Sequence, residues 1–343
     1  MTTACNSKAH DRVSLAFCRN ILRRSPLLNI QDSRRLNERW KARVSHYFAP
    51  FIPLVRALVR YGPLGLRTTL WNHIGRTRLV GLPHGFTVGT EYGRFTGDSS
   101  DMLSRYVYYF GQWEPEVTRL IKQRLGPGRT FVDVGANVGW YTLLAADAVG
   151  PTGRVVAIEA SPTNFLLLQE NVSNNRLKNV RLVNEAVWST QAVLSLFQGP
   201  PHHSGISTVV PSFAERHRGC KMAAQIRARP LPELLNRDEI ATLRVLKIDV
   251  EGAEREVLLG LEPMLDSAPD DLEIFLELNP TEYDVDRLLL PIRRRGFRAW
   301  VIPYQYKPEY CLSYSALQEK DTFQELLETP KQQVDVLVSR TRP

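Results

Sequence analysis

From residue 130 to residue 338 the chain alternates short apolar runs with longer helix-like stretches, and nothing else in it restricts the fold as much. The runs 130–134, 154–158, 180–184, 243–248 and 272–278 have strand length and are largely apolar, with no strict alternation. Such strands are buried on both faces, as in a parallel sheet covered by helices. The stretches 138–149, 162–174, 253–259 and 285–295 have helical length. Gly150-Pro151 ends the first, and Pro291 is expected to kink the last. Residues 194–197 read as a short strand and 231–235 as a short helix. Residues 298–302 and 334–338 read as two final strands forming an antiparallel pair. The expected architecture is a doubly wound, mostly parallel α/β sheet.

Upstream, Trp113-Glu114-Pro115-Glu116 opens a helix that runs to Leu125. Pro115 suits its first turn, the two acids suit its positive end, and Gly126-Pro127-Gly128 stops it. The Gly-rich text over 81–112 reads as a hairpin or loop region, and the main domain is placed at 113–343. Residues 1–80 are a basic extension. They hold 15 Lys and Arg against 3 Asp and Glu, an excess of 12; the net charge is +8, so residues 81–343 are acidic by 4. That sign argues against nucleic acid as the partner of the main domain. Residues 1–45 read as a poorly ordered tail or a solvated helix. Over 46–75, Phe48, Phe51, Leu54, Leu58 and Trp71 interleave with Arg56, Arg60 and Arg67, broken by Pro50, Pro53 and Pro63. Such short helices either pack as a flap on the main domain or make weak peripheral contact with a membrane. No secretory signal or transmembrane run is read, and Cys5, Cys18, Cys220 and Cys311 are too scattered for a disulfide framework. A cytoplasmic protein, membrane-associated at most through 46–75, is expected.

The strongest chemical signal is Phe131-Val132-Asp133-Val134-Gly135-Ala136-Asn137-Val138-Gly139-Trp140-Tyr141. A buried strand ends in an acid, a turn carries two glycines, and a helix begins, at the edge of the sheet where open α/β folds bind ligands. Gly135 allows the sharp turn and Gly139 allows close packing of the helix. Asn137 occupies the position where a pyrophosphate needs glycine, which speaks against NAD. The pattern suits a ligand with a ribose, an adenine and an amino-acid tail. Turn amides can hold the tail's carboxylate, and Asp133 can balance its ammonium. Glu159 ends the next strand, 20 residues after Gly139, where a carboxylate binds a ribose diol. Glu185 and Ala186 end the third strand and are positioned for adenine. Tyr141 is expected in the same pocket, and Trp140 in the core.

These segments, with Ile158-Glu159-Ala160-Ser161-Pro162 and Leu246-Lys247-Ile248-Asp249-Val250-Glu251-Gly252-Ala253-Glu254, resemble the FkbM family of methyltransferases over roughly residues 107–302. The Lys-Ile-Asp-Val-Glu-Gly-Ala-Glu run is the most specific part. The resemblance implies a seven-stranded class I Rossmann-like fold, S-adenosylmethionine as methyl donor with Ser161 among its binding residues, and usually a hydroxyl acceptor on a polyketide, a glycolipid or polysaccharide sugar, or a related small molecule. It says nothing about the basic extension.

Methyl transfer needs an acceptor lone pair aligned with the carbon–sulfur bond, and an alcohol also needs a base. Asp249 ends the strand 243–248 across from the glycine loop and is the first choice for the residue at the reaction. Glu251 shares its face, and Glu277 ends the neighbouring strand. The competing reading is that Asp249 and Glu254 cap the next helix and tie up Lys247. Asp249, Glu277 and Asn279 could hold Mg²⁺, but they equally suit hydrogen bonds to acceptor hydroxyls, and no metal is expected. His202 and His203 read as solvated loop residues. The alternative to an enzyme is a non-catalytic donor-binding or membrane-docked scaffold; the acids retained around one pocket favour the enzyme.

Overall fold

A computed structural model of the chain describes residues 52–71, 85–99, 101–199, 206–217, 219–303 and 323–343. His202 and His203 lie outside the described residues, as do all cysteines except Cys220. The elements in chain order are α1 (Ile52–Tyr61), α2 (Leu64–Leu70), β1 (Gly85–Thr90), β2 (Gly93–Asp98), α3 (Met102–Phe110), α4 (Pro115–Arg124), β3 (Thr130–Val134), α5 (Trp140–Val149), β4 (Arg154–Ile158), α6 (Pro162–Asn174) and β5 (Val180–Val183). There follow β6 (Ala186–Val187), β7 (Ala192–Gln198), β8 (Ser207–Thr208), α7 (Pro211–Arg216), β9 (Lys221–Arg229), α8 (Leu231–Leu234), α9 (Arg237–Ala241), β10 (Leu243–Ile248), α10 (Glu254–Leu261), β11 (Glu273–Leu278), α11 (Val285–Arg293), β12 (Arg298–Val301), β13 (Gln324–Glu325) and β14 (Val334–Ser339).

The main sheet runs β13-β12-β14-β11-β10-β3-β4-β5. Strands β5, β4, β3, β10 and β11 are parallel, while β14 is antiparallel to both of its neighbours, β11 and β12. The sheet has eight strands where seven were expected. The additional one is β13, two residues paired at the edge to Trp300 and Val301. The near-continuous apolar runs are explained by the two cores. Successive residues of one strand enter opposite faces: Phe131, Val245, Phe275 and Leu337 pack with Leu120, Trp140 and Leu143, while Val132, Leu246, Ile274 and Val336 pack with Val257, Leu261 and Leu289. Alternation of side-chain direction along a strand requires both sets to be apolar when helices cover both faces.

A second sheet, β6-β9-β7-β8, follows β5. Its longest strand, β9, has no counterpart in the sequence reading. It buries only Ile226 and Ala228 and carries mostly exposed residues such as Lys221, Met222 and Gln225. The hairpin β1–β2 is fastened by Asn171 of α6, which accepts from Thr96 N and donates to Thr96 O and Val138 O at 2.6–2.8 Å. Within the region read as hairpin or loop, Asp101 accepts from Ser104 N and so caps α3, an unpredicted helix that ends on Gly111 at φ 77°. α1 packs against it. Ile52, Val59 and Trp71 are buried, and Arg56 Nε donates to Tyr108 O at 2.8 Å. Leu54, Tyr61, Leu64 and Leu66 remain exposed. Among the described residues no helix is long and apolar enough to cross a membrane.

Candidate active site

A cavity of about 360 Å³ opens at the carboxyl ends of β3, β4, β10 and β11, roofed by the segment joining α3 to α4. The chain turns away from β3 there because Gly135 permits it: its φ is +84°, and a Cβ would stand 1.8 Å from the carbonyl oxygen of Asp249. Only glycine tolerates both the left-handed backbone and that approach. Asn137 is also left-handed, at φ 50°. Gly139, at φ +95°, lets α5 begin against Leu168 of α6, where a Cβ would lie 2.6 Å from the leucine Cδ1.

Glu159 ties this loop to the end of β4. Its Oε2 accepts from Asn137 N and its Oε1 from Ser161 N, each at 2.8 Å. Burial raises its carboxyl to about 7, although the two amides oppose the rise. Asp133 is wholly buried on the adjacent strand; Thr142 Oγ1 donates to its Oδ2 at 2.9 Å, and Oδ1 has no hydrogen-bond partner. Burial raises it to about 6, against the pull of Lys247. Thus the two acids expected to grip one ligand do stand on neighbouring strands.

Gly135, Asn137, Tyr141, Glu159, Glu185 and Ala186 line the cavity. Asp133, Gly139 and Ser161 do not; they support its wall. Ser161 is fully buried at the N-cap of α6 and contributes its backbone N–H to Glu159. Glu185 differs from expectation: Arg229 holds both of its carboxylate oxygens, at 2.7 and 2.9 Å, so any contact with adenine shares that carboxylate with a guanidinium.

Residues 133–299 match the family model described as the methyltransferase FkbM domain. The chain carries an FkbM methyltransferase domain over these residues, just under half of its length. It is 26% identical over 197 residues to 31-O-demethyl-FK506 methyltransferase FkbM of Streptomyces tacrolimicus, covering 50% of this chain and 74% of that protein. It is 27% identical over 201 residues to hexuronic acid methyltransferase AglP of Haloferax volcanii, covering 57% and 75%. The crystal structure of methyltransferase FkbM from Methylobacillus flagellatus KT aligns with 86% of this chain and 60% of its own, at 12% identity and TM-score 0.35. The chain spans less than two thirds of the length of the first curated relatives it matches.

S-adenosylmethionine is the cofactor of this FkbM domain, and the residues present fit it. Asp133, its Oδ1 unpartnered behind the wall, favours an ammonium in front of it, the Gly135–Asn137 turn lines the cavity, and Glu159 is held rigid at the wall for a diol.

Across from the glycine loop, the run Lys247–Glu254 delivers Asp249 and Glu251 to the same cavity. Lys247 Nζ is 2.7 Å from Asp249 Oδ2 and lies 4.7 Å from the centre of the Tyr141 ring. Its ammonium faces Asp249, Asp133 and Glu114, which raise its pKa against the effect of burial. The competing reading of the acids therefore holds in part: Asp249 does bind Lys247, and Glu254 does close the start of α10, accepting from Val250 N and Gly252 N. Asp249, Glu251 and Glu277 nevertheless line the cavity. Glu251 is raised to about 8, first by burial and then by Asp249. Glu277 is raised further, again by burial and by Asp249 and Asp335. Asn279 bonds Thr281. Among the described residues no group of three or more His, Cys, Asp or Glu is disposed to hold a metal.

Three cavity acids escaped the sequence reading, and one of them, Asp101, is the cap of α3. Asp335 lies directly opposite Glu277 across the β11–β14 pair. A lone acid inside an apolar strand was its only signal. Glu114 was read as a helix-start charge. It makes no cap hydrogen bond and instead accepts from Tyr141 Oη at 2.5 Å.

Proposed function

We propose that this methyltransferase transfers the methyl group of S-adenosylmethionine to a hydroxyl of a small molecule, a sugar of a glycolipid or polysaccharide or a related secondary metabolite. The observation that carries this reading is the continuity of the cavity. One space runs from the glycine loop and Glu159 to Asp249, Glu251 and Glu277 at the ends of β10 and β11. The relatives named for FK506 and for hexuronic acid support an oxygen acceptor.

When bound, the donor supplies an electrophilic methyl on a sulfonium. The chain supplies position and a proton acceptor. Turn amides at Gly135–Asn137 and Asp133 take the amino-acid tail, Glu159 takes the ribose, and Glu185 with Ala186 borders the base. Asp249, held in place by Lys247, accepts the proton of the acceptor hydroxyl as its oxygen bonds to carbon. Glu277 and Glu251 hold protons near neutrality and donate hydrogen bonds to other acceptor oxygens. Trp113 and Val117 contribute apolar surface to the wall of the cavity.

The test is incubation of the full chain with methyl-labelled S-adenosylmethionine and hydroxylated glycolipid and oligosaccharide fractions. Label in an alkali-stable ether is the expected product, and alkali-labile label would replace the hydroxyl by a carboxyl acceptor. Asp249→Asn should remove transfer by a factor of 10² or more, the usual scale for a lost general base, while binding of S-adenosylhomocysteine persists. Binding without transfer to any fraction would turn the assignment to a non-catalytic donor-binding scaffold.

A further inference from the structure

Two buried carboxylates flank the first turn of α5, and consecutive residues of that helix hold one oxygen of each. Thr142 Oγ1 donates to Asp133 Oδ2, and Tyr141 Oη donates to Glu114 Oε2. Asp133 Oδ1 is buried without a partner. Glu114 is 7% exposed, accepts from Tyr141 and lines the cavity. A buried carboxylate with an unused acceptor is costly unless a ligand completes it.

The backbone adds to that cost. Glu114 sits at φ 37°, ψ 69°, left-handed for a residue that is not glycine. Such strain is costly and collects at functional sites. It does not serve the helix, because the Glu114 side chain caps nothing. The protein supplies a single counter-charge, which Glu114 and Asp133 share with Asp249. Lys247 is the one cation among the described residues lining the cavity, and its ammonium is bonded to Asp249. The pair Glu114 and Asp133 therefore suits a cationic group brought in by the ligand, beside the loop that starts α5.

We propose that Glu114 is a donor-binding residue whose carboxylate, oriented by Tyr141, seats the α-ammonium of the S-adenosylmethionine tail, with the charge of Asp133 acting from behind the cavity wall. This rests on the assignment of the glycine-loop cavity to that donor. Tyr141 is then a positioning residue for Glu114.

The experiment is calorimetric titration of the full chain with two probes. S-adenosylhomocysteine carries the amino-acid tail; 5′-methylthioadenosine keeps the adenosine and the sulfur but lacks the tail. Glu114→Gln retains the acceptor for Tyr141 and removes only the charge. It should weaken S-adenosylhomocysteine roughly tenfold, about 1.4 kcal/mol, and leave 5′-methylthioadenosine within about twofold, and Asp133→Asn should show the same split. Equal losses for both probes would mean that Glu114 acts through the fold, and unchanged S-adenosylhomocysteine binding would mean that it faces something else; either overturns the proposal. Failure of the unsubstituted chain to bind either probe would instead remove the donor assignment itself, and the role of Glu114 with it.

Discussion

Replacing Lys247 by Met keeps most of the side chain's bulk and deletes the ammonium that Asp249, Asp133 and Glu114 face. Lys247 is 5% exposed, and removing one partner of a buried ion pair costs about 3–5 kcal/mol. The side chain of Asp249 is 39% exposed, so water takes over part of the compensation, and a loss of about 3 kcal/mol is expected at pH 8. The loss should depend on pH. Asp133 rises from its ordinary 3.8 to about 6 and Glu114 from 4.5 to about 8, chiefly through burial and with the lysine opposing. Without the lysine both rise further. A carboxyl whose folded pKa is raised contributes stability below its unfolded pKa and loses it as pH rises through the folded value. At pH 5.5 both acids are largely protonated in either protein, so only the partly solvated pair with Asp249 is lost, about 1 kcal/mol. Urea unfolding followed by tryptophan fluorescence at the two pH values is the assay. With a slope of about 3 kcal/mol/M, the midpoint should fall by about 1 M at pH 8 and by about a third of that at pH 5.5. Equal shifts at both values, or a larger one at pH 5.5, would refute the reasoning.

Gly135→Ala should abolish detectable S-adenosylhomocysteine binding, because its Cβ would stand 1.8 Å from the Asp249 carbonyl oxygen; retained affinity in calorimetry would show that the loop can move aside. Asn171→Ala leaves three buried backbone groups at Thr96 and Val138 without partners, at about 1–3 kcal/mol each before relaxation. It should lower the melting temperature and open the β1–β2 hairpin to limited proteolysis first. Peripheral membrane contact through 46–75 is proposed to use the exposed Leu54, Leu64 and Leu66 beside Arg60 and Arg67. Flotation of the full chain with anionic vesicles should be lost on changing the three leucines to Gln, and identical flotation of both proteins would end the idea.

How much was legible depended on whether a residue's role was local. Strands β3, β4 and β10 were readable because helices cover both faces and most of their residues must be apolar. The turn at Gly135–Gly139 was readable because only certain residues fit its backbone, and the acid ending β4 because it is fixed in register beside β3. β9 was not, since its burial rests on Ile226 and Ala228 alone while its other residues face outward. α3 was missed because Tyr106, Val107, Tyr108, Tyr109 and Phe110 read as β-formers; their burial against Trp71 and α1 overrides that propensity. Glu114 and Asp335 needed tertiary knowledge. The first is a helix-start acid whose side chain turns to Tyr141, and the second meets Glu277 only because β14 returns to pair with β11.

That return has a consequence for how the molecule is made. β14 threads between β11 and β12, so on the ribosome both strands present a bare hydrogen-bonding edge until residues 334–339 emerge. Because Asp335 arrives with that last insertion, a nascent chain can assemble the loop around Gly135 well before it owns a finished acceptor wall. A polypeptide broken off before β14 would therefore be left with open edges prone to pair with other chains.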